Sequence, residues 1–427
     1  MSRLTIHGGR VVDPESGRDE VADLHIGDGR VLAIGPAPDG FAAEARLDAA
    51  GQLVIPGLVD LAARLREPGA TRKGGIIPEA RAAAGGGVTT LLQPPDTSPV
   101  TDTPSVVELI HSRAQSADGT RVRPLGALTQ GLAGERLAEM AALRDAGCPA
   151  MADGGRPVTN GLVLRRALEY AATFSLPVVL TPEDPDLAAG GHVHDGETAT
   201  RLGLPSQPAA TETAALARIL AIAEESGAPV HLGRLSTARG VEMVAAAQQA
   251  RLPVTADVAI HQLLFTEHDC AGYDTRAHVR PPLRSSADRD RLRRGVADGT
   301  LQAVCSDHQP HDPDAKDCPF ADSEPGISGV DTLLALTLRL VDEGLLSMPE
   351  AIRRVTAGPA RALGLEAGTL APGAAADVAV VDPRARWRVT PESLRSRGHN
   401  TLLTGWELAG TVTATVVGGR TVHVRQT

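Results

Sequence analysis

Lysine is almost missing from this chain of 427 residues: Lys73 and Lys316 are the only two, and arginine supplies nearly all the positive charge. Aromatic residues are scarce too, at 2%, so the core must be built from alanine, valine, leucine and isoleucine. There is no basic excess. The net charge of -10 argues against nucleic acid as a partner, which needs a basic face. The four cysteines, Cys148, Cys270, Cys305 and Cys318, show no C-x-x-C spacing. That argues against a disulfide framework or a structural zinc site and predicts a reduced, cytoplasmic protein. No apolar run has the length of a membrane span, and MSRLTIHGGR does not read as a signal peptide. What is present is an ordinary globular balance, 42% hydrophobic and 22% charged.

Both ends of the chain are β-rich. LTIHGGRVVD, ADLHIGDGRVLAIG and RLDAAGQLVI open it; ADVAVVD, RWRVT and GTVTATVVGGRTVHV close it. The pattern predicts one small β domain, a sandwich, assembled from residues 1–55 and 366–427. Between them, residues 56–365 alternate strand-like and helix-like runs. The strand candidates are VIPGLVDL, TTLLQPP, RVRPLGAL, PAMADG, PVVLTPED, PVHLGRL, VTADVAIH and LQAVCSDH. Segments such as TETAALARILAIAEESG and GVEMVAAAQQA fall between them at helical spacing. Eight such units predict an α/β fold, a (β/α)8 TIM barrel, with polar residues gathered at the C-terminal ends of its strands where barrel active sites lie. An open doubly wound sheet would need a glycine fingerprint after its first strand, and none is there.

An ordered set of motifs runs along this frame: PGLVD at 56, LREPG at 65, ADGGRPV at 152, PED at 182 and GLPSQPAATET at 203. HLGRLST at 231, GYDT at 272, VRPPLR at 279 and SDHQPH at 306 follow. In these motifs the chain resembles the dihydroorotases of the amidohydrolase superfamily over essentially its whole length. The resemblance implies one or two zinc ions at the barrel mouth in active members. Their ligands there are an H-x-H on the first strand, an Asp or modified Lys on the fourth, histidines on the fifth and sixth, and an Asp on the eighth that is also the general base. Zinc bound this way lowers the pKa of its water and supplies the nucleophile.

Laid on this sequence, the ligand set is broken in a consistent way. Ala62 and Arg64 stand where the first strand needs histidines, Thr181 on the fifth strand and Arg234 on the sixth. Asp153 and Asp307 are kept, as vestigial ligand and vestigial base. Two carboxylates make a weak metal site and two guanidiniums repel a cation, so no zinc cofactor is expected here. On the substrate side, Arg66 and His311 match the family residues that grip the dihydroorotate carboxylate and ring. Asp96 replaces the family Asn of M-P-N-T and is expected to repel an anion. Arg280 replaces the Asn of V-N-P-P-L-R; its charge is of the sign that attracts an anion, which leaves ligand binding open. The H-x-H of His192 and His194 lies in a Gly-rich loop and is not expected to bind metal. His231, His261 and His308 are expected to be hydrogen-bonded structural histidines. The stretch after His311 matches the family's mobile loop in position and in its closing P-x-G-I-x-G, although an ordinary surface connection fits it equally.

Loss of a metal between Asp153 and Asp307 would leave facing like charges at a buried site, which costs several kcal/mol unless they are paired. Arg64 and Arg234 are expected to pair with them, against the alternative of random drift. The closest resemblance is to the non-catalytic pseudo-dihydroorotases of bacterial pyrimidine biosynthesis. It implies a structural partner of aspartate carbamoyltransferase in homo- and hetero-oligomers, with no nucleic-acid or membrane role. The alternatives are a cyclic amidohydrolase working through a weakened or metal-free site, with Asp307 as base, and a sensor that binds dihydroorotate or carbamoyl aspartate without turnover.

Overall fold

A computed structural model describes residues 3–425. Each of the eight strand candidates supplies a barrel strand, in whole or in part. In order these are Leu58–Asp60, Val88–Gln93, Arg121–Pro124 continued by Gly126–Ala127, Met151–Ala152, Val178–Leu180, Val230–Leu232, Val254–Ala259 and Ala303–Cys305. Neighbours pair in parallel along this order. The ring closes where Arg64 N–H donates to the His308 carbonyl at 2.8 Å and His308 N–H donates to that of Ala62 at 3.1 Å. Strands such as VVL and AVC are buried on both faces, which is why they read as continuous apolar runs instead of alternating ones.

Small side chains suffice to fill the barrel. Val59, Leu61, Leu92, Leu125, Ala152 and Val179 form one interior cluster with Ala259, Ala303 and Cys305, and helix Ala357–Ala362 adds Ala360 to it. An interior layered with small branched residues needs no aromatics. Gly57 marks the entrance. A Cβ there would lie 2.1 Å from Thr89 Cγ2, so only glycine lets the chain turn from one domain into the other.

That turn splits an expected strand. VIPGLVDL does not run unbroken into the barrel. Leu53–Pro56 belongs to the terminal sheet, and Leu58–Asp60 starts the barrel after Gly57. Leu53–Pro56 pairs in parallel with Leu4–Asp13 and antiparallel with Val378–Arg388, so it joins the two ends of the chain in one eight-stranded sheet. Register shifts bend the long strands Val378–Arg388 and Glu407–Val417, as bulges do. The resulting small β-sandwich has its own core of Ile6, Leu24, Ile26, Val54, Val378 and Val416.

Candidate functional site

The barrel mouth encloses a cavity of about 300 Å³ lined by Arg64, Arg66, Asp96, Arg156, Thr181, Glu183, Arg234, Arg280, Gln309 and His311, among others. Sequence reasoning brought most of these residues together because each follows the C-terminal end of a barrel strand. Arg66, Arg234 and Asp307 hold left-handed backbone, with φ of 64°, 59° and 46°. Side chains other than glycine adopt that region at a cost of about 1–2 kcal/mol each.

Asp307 is the centre of the floor. Only 1% of its side chain is exposed, and Gln309 Nε2 donates to both its oxygens at 3.2 Å. Arg64 Nη1 lies 3.7 Å and Arg234 Nε 3.6 Å from the same oxygen, Oδ1. Burial lifts the Asp307 pKa above the ordinary carboxylate value, and Arg234 and Arg64 pull it back. For Arg234, burial opposes the charge, but Asp307 and Asp257 outweigh it and its pKa is raised.

Asp153 is held differently. It was expected to share the two arginines, yet among the described residues no ion pair joins it to Arg64 or Arg234. Its oxygens accept from the backbone N–H groups of Gly155 at 2.9 Å and Thr181 at 2.7 Å, and from the Thr181 hydroxyl at 3.0 Å. Arg234 reaches it only through that hydroxyl, donating from Nη2 to Thr181 Oγ1 at 2.7 Å. Neutral donors thus hold Asp153, while the guanidiniums stand beside Asp307. Burial still raises the Asp153 pKa.

Two charges on the substrate side are paired. Asp96 does not stand as a free negative charge, because Arg64 Nε donates to its Oδ2 at 2.6 Å. Arg280, whose side chain is half exposed, is paired as well. It forms a two-pronged pair with buried Glu183, with Nε on Oε2 at 2.8 Å and Nη2 on Oε1. Glu183 was the missed partner, although it sits in the PED motif. Arg66 contacts no carboxylate among the described residues. Its Nε donates to the Pro310 carbonyl at 3.0 Å and its Nη2 lies 3.0 Å from His311 Nε2. Burial and then Arg64 lower the Arg66 pKa to about 10, while burial, Arg66 and Lys316 lower that of His311 to about 3.

The remaining histidines serve the frame. His231 bonds Thr255 Oγ1 at 2.8 Å and Asp257 Oδ2 at 2.9 Å. His308 accepts from Gly329 N–H at 3.2 Å, which leaves its Nε2–H to donate to Glu79 at 3.1 Å. His261 departs from expectation: it is buried, but neither ring nitrogen has a partner among the described residues. It lies in a short 3-10 turn whose four residues are all buried, and burial alone takes its pKa to about 3. His192 Nδ1 faces His278 Nε2 at 3.2 Å, whereas His194 Nδ1 lies 3.3 Å from Arg284. The H-x-H thus diverges.

Residues 51–239 match the dihydro-orotase-like family and residues 186–422 the amidohydrolase family. A protein of Pseudomonas aeruginosa called dihydroorotase-like protein is 51% identical over 98% of this chain and 99% of its own length. This chain belongs to the dihydroorotase-like amidohydrolases. A second dihydroorotase-like protein, from Pseudomonas putida, is 50% identical over 98% of this chain and 99% of its own. A dihydroorotase of Syntrophotalea carbinolica is 44% identical over 99% of each chain. Among solved structures, the L-hydantoinase of Arthrobacter aurescens superimposes with a TM-score of 0.88 at 25% identity, covering 100% of this chain and 98% of its own.

The zinc of active dihydroorotases does not fit the residues present. Ala62 offers no donor, the Thr181 hydroxyl is engaged by Asp153 and Arg234, and two guanidiniums stand beside Asp307. Among the described residues no three His, Cys, Asp or Glu side chains converge as a metal site. Nor is any helix among them long and apolar enough to cross a membrane.

Proposed function

We propose that this dihydroorotase-like protein is a non-catalytic member of pyrimidine biosynthesis that acts as a structural partner of aspartate carbamoyltransferase. The observation that carries the reading is the pair of guanidiniums, 3.7 and 3.6 Å from Asp307, in the place where a catalytic cation would have to sit. Without a Lewis acid, water activation by Asp307 alone leaves several kcal/mol of barrier unrelieved. Two relatives at 51% and 50% identity carry the name dihydroorotase-like protein. The barrel around the disabled site is complete, which supports a binding role for the body of the molecule.

The test has two arms. Purified protein, with and without added zinc, is expected to hydrolyse dihydroorotate no faster than the blank. Mixed with the aspartate carbamoyltransferase of the same organism, it is expected to elute from a sizing column earlier than either alone. Zinc-dependent turnover would make the chain an active cyclic amidohydrolase after all. Separate elution would remove the proposed partner and leave the non-catalytic reading intact.

A further inference from the structure

One charged network touches seven of the eight barrel strands or the residues just beyond them. Arg64, after the first strand, reaches Asp96 beyond the second at 2.6 Å and the Gly154 carbonyl beyond the fourth at 3.3 Å. It also faces Asp307 beyond the eighth. Arg234, after the sixth strand, donates to Thr181 beyond the fifth at 2.7 Å and faces the same Asp307. Its backbone N–H donates to Asp257 in the seventh strand at 2.6 Å. Thr181 then passes the chain on to Asp153 beyond the fourth.

A metal ion held between strand ends draws them together through its ligands. A guanidinium can do the same, since its planar fork offers several fixed donors to different strands and keeps its charge at every ordinary pH. We infer that Arg64 and Arg234 have taken the structural place of the metal. They form a brace across the barrel mouth that excludes divalent cations and keeps the mouth intact without any metal supply. Each arginine is anchored by a direct hydrogen bond away from Asp307, so its position does not depend on that carboxylate alone. Drift would have left side chains turned to solvent; here the Arg64 side chain is 12% exposed and that of Arg234 7%. The inference stands whether or not the chain joins another enzyme.

The test is charge coupling read by thermal unfolding at pH 7. R64M/R234M is expected to lower Tm by roughly 5 °C or more, because Asp307 is left buried and uncompensated. Adding D307N to that variant is expected to recover more than half the loss. If the double variant does not fold, R64M with and without D307N gives the same comparison. A D307N effect of equal size in both backgrounds overturns the brace. Zinc and chelator supply the second arm. An unchanged Tm in the parent, or a shift shared with D307N, supports cation exclusion; a zinc-induced rise in the parent that D307N abolishes overturns it.

Discussion

At the scale of single residues, His261 shows what a buried group without partners does to stability. Its folded pKa of about 3 lies below the ordinary histidine value of 6.5 because of burial alone. Between those values the unfolded chain binds the proton and the folded one does not. The stability it contributes is therefore present at pH 7 and is lost as pH falls from about 6.5 toward 3, at about 1.4 kcal/mol per unit. His261→Leu is expected to flatten this acid limb by about one proton while changing stability at pH 7 by under about 1.5 kcal/mol. Denaturant titrations at pH 7, 5.5 and 4.5 read the slope; an unchanged slope would reject the assignment. Arg64, Arg66, Asp96, Arg280 and His311, which the sequence motifs single out, line one cavity, since each follows a barrel strand. The motifs could not reveal which charges pair. Asp96 lies 32 residues from Arg64 and Glu183 lies 97 from Arg280, and such distances along the chain say nothing about reach across a barrel. The unpartnered imidazole of His261 was equally invisible, because a buried histidine with partners and one without look alike in one sequence.

At the scale of elements, the segment from Asp312 to Pro325 is the one whose reading the structure sharpens most. Both lysines of the chain attach it. Lys316 Nζ donates to the carbonyls of Thr275, His278 and Glu324 at 3.0, 3.2 and 2.6 Å, and Lys73 pairs with Glu324. Arg72 holds Asp312 at 2.7 Å, and Phe320 stacks on His278. A connection tied at both ends in this way is expected to stay in place, and its Glu324 and Pro325 line the cavity. Burial lowers the Lys316 pKa from 10.5 to about 8. Between these values the unfolded chain holds the extra proton, so this residue makes stability rise with pH across about 8 to 10.5. Lys316→Met is expected to abolish that rise and to speed proteolytic cleavage within residues 312–325 at pH 7.5. Cleavage as slow as in the parent would show that the three carbonyl contacts do not hold the segment. The fold itself was far more legible. Eight apolar runs separated by helical spacing specify the barrel strongly, whereas VIPGLVDL misled, because a buried strand leaving one sheet and a buried strand entering the next share one apolar signature.

At the scale of the whole molecule, the two domains share a core. Leu53, Ile55, Ala379, Val381, Leu408 and Val412 of the terminal sheet belong to the same buried cluster as the barrel strands and helices. Polar contacts cross the same seam. Thr415 Oγ1 donates to the Ala84 carbonyl at 2.6 Å, and Arg121 of the third barrel strand pairs with buried Asp377. The apolar side chains that the sheet shares with helices Ile76–Gly85 and Leu333–Asp342 would be exposed if either domain melted first. Burial is favourable at about 25 cal/mol per Å², so separating the domains costs far more than bending a flexible linker would. Calorimetry is therefore expected to show one unfolding transition with equal calorimetric and van't Hoff enthalpies. Val412→Asp places a carboxylate at the buried seam, where its desolvation opposes folding, and is expected to lower that one transition as a unit. Two separated transitions, or a Val412→Asp variant that melts only the terminal sheet while the barrel keeps its parental Tm, would mean that the domains are independent.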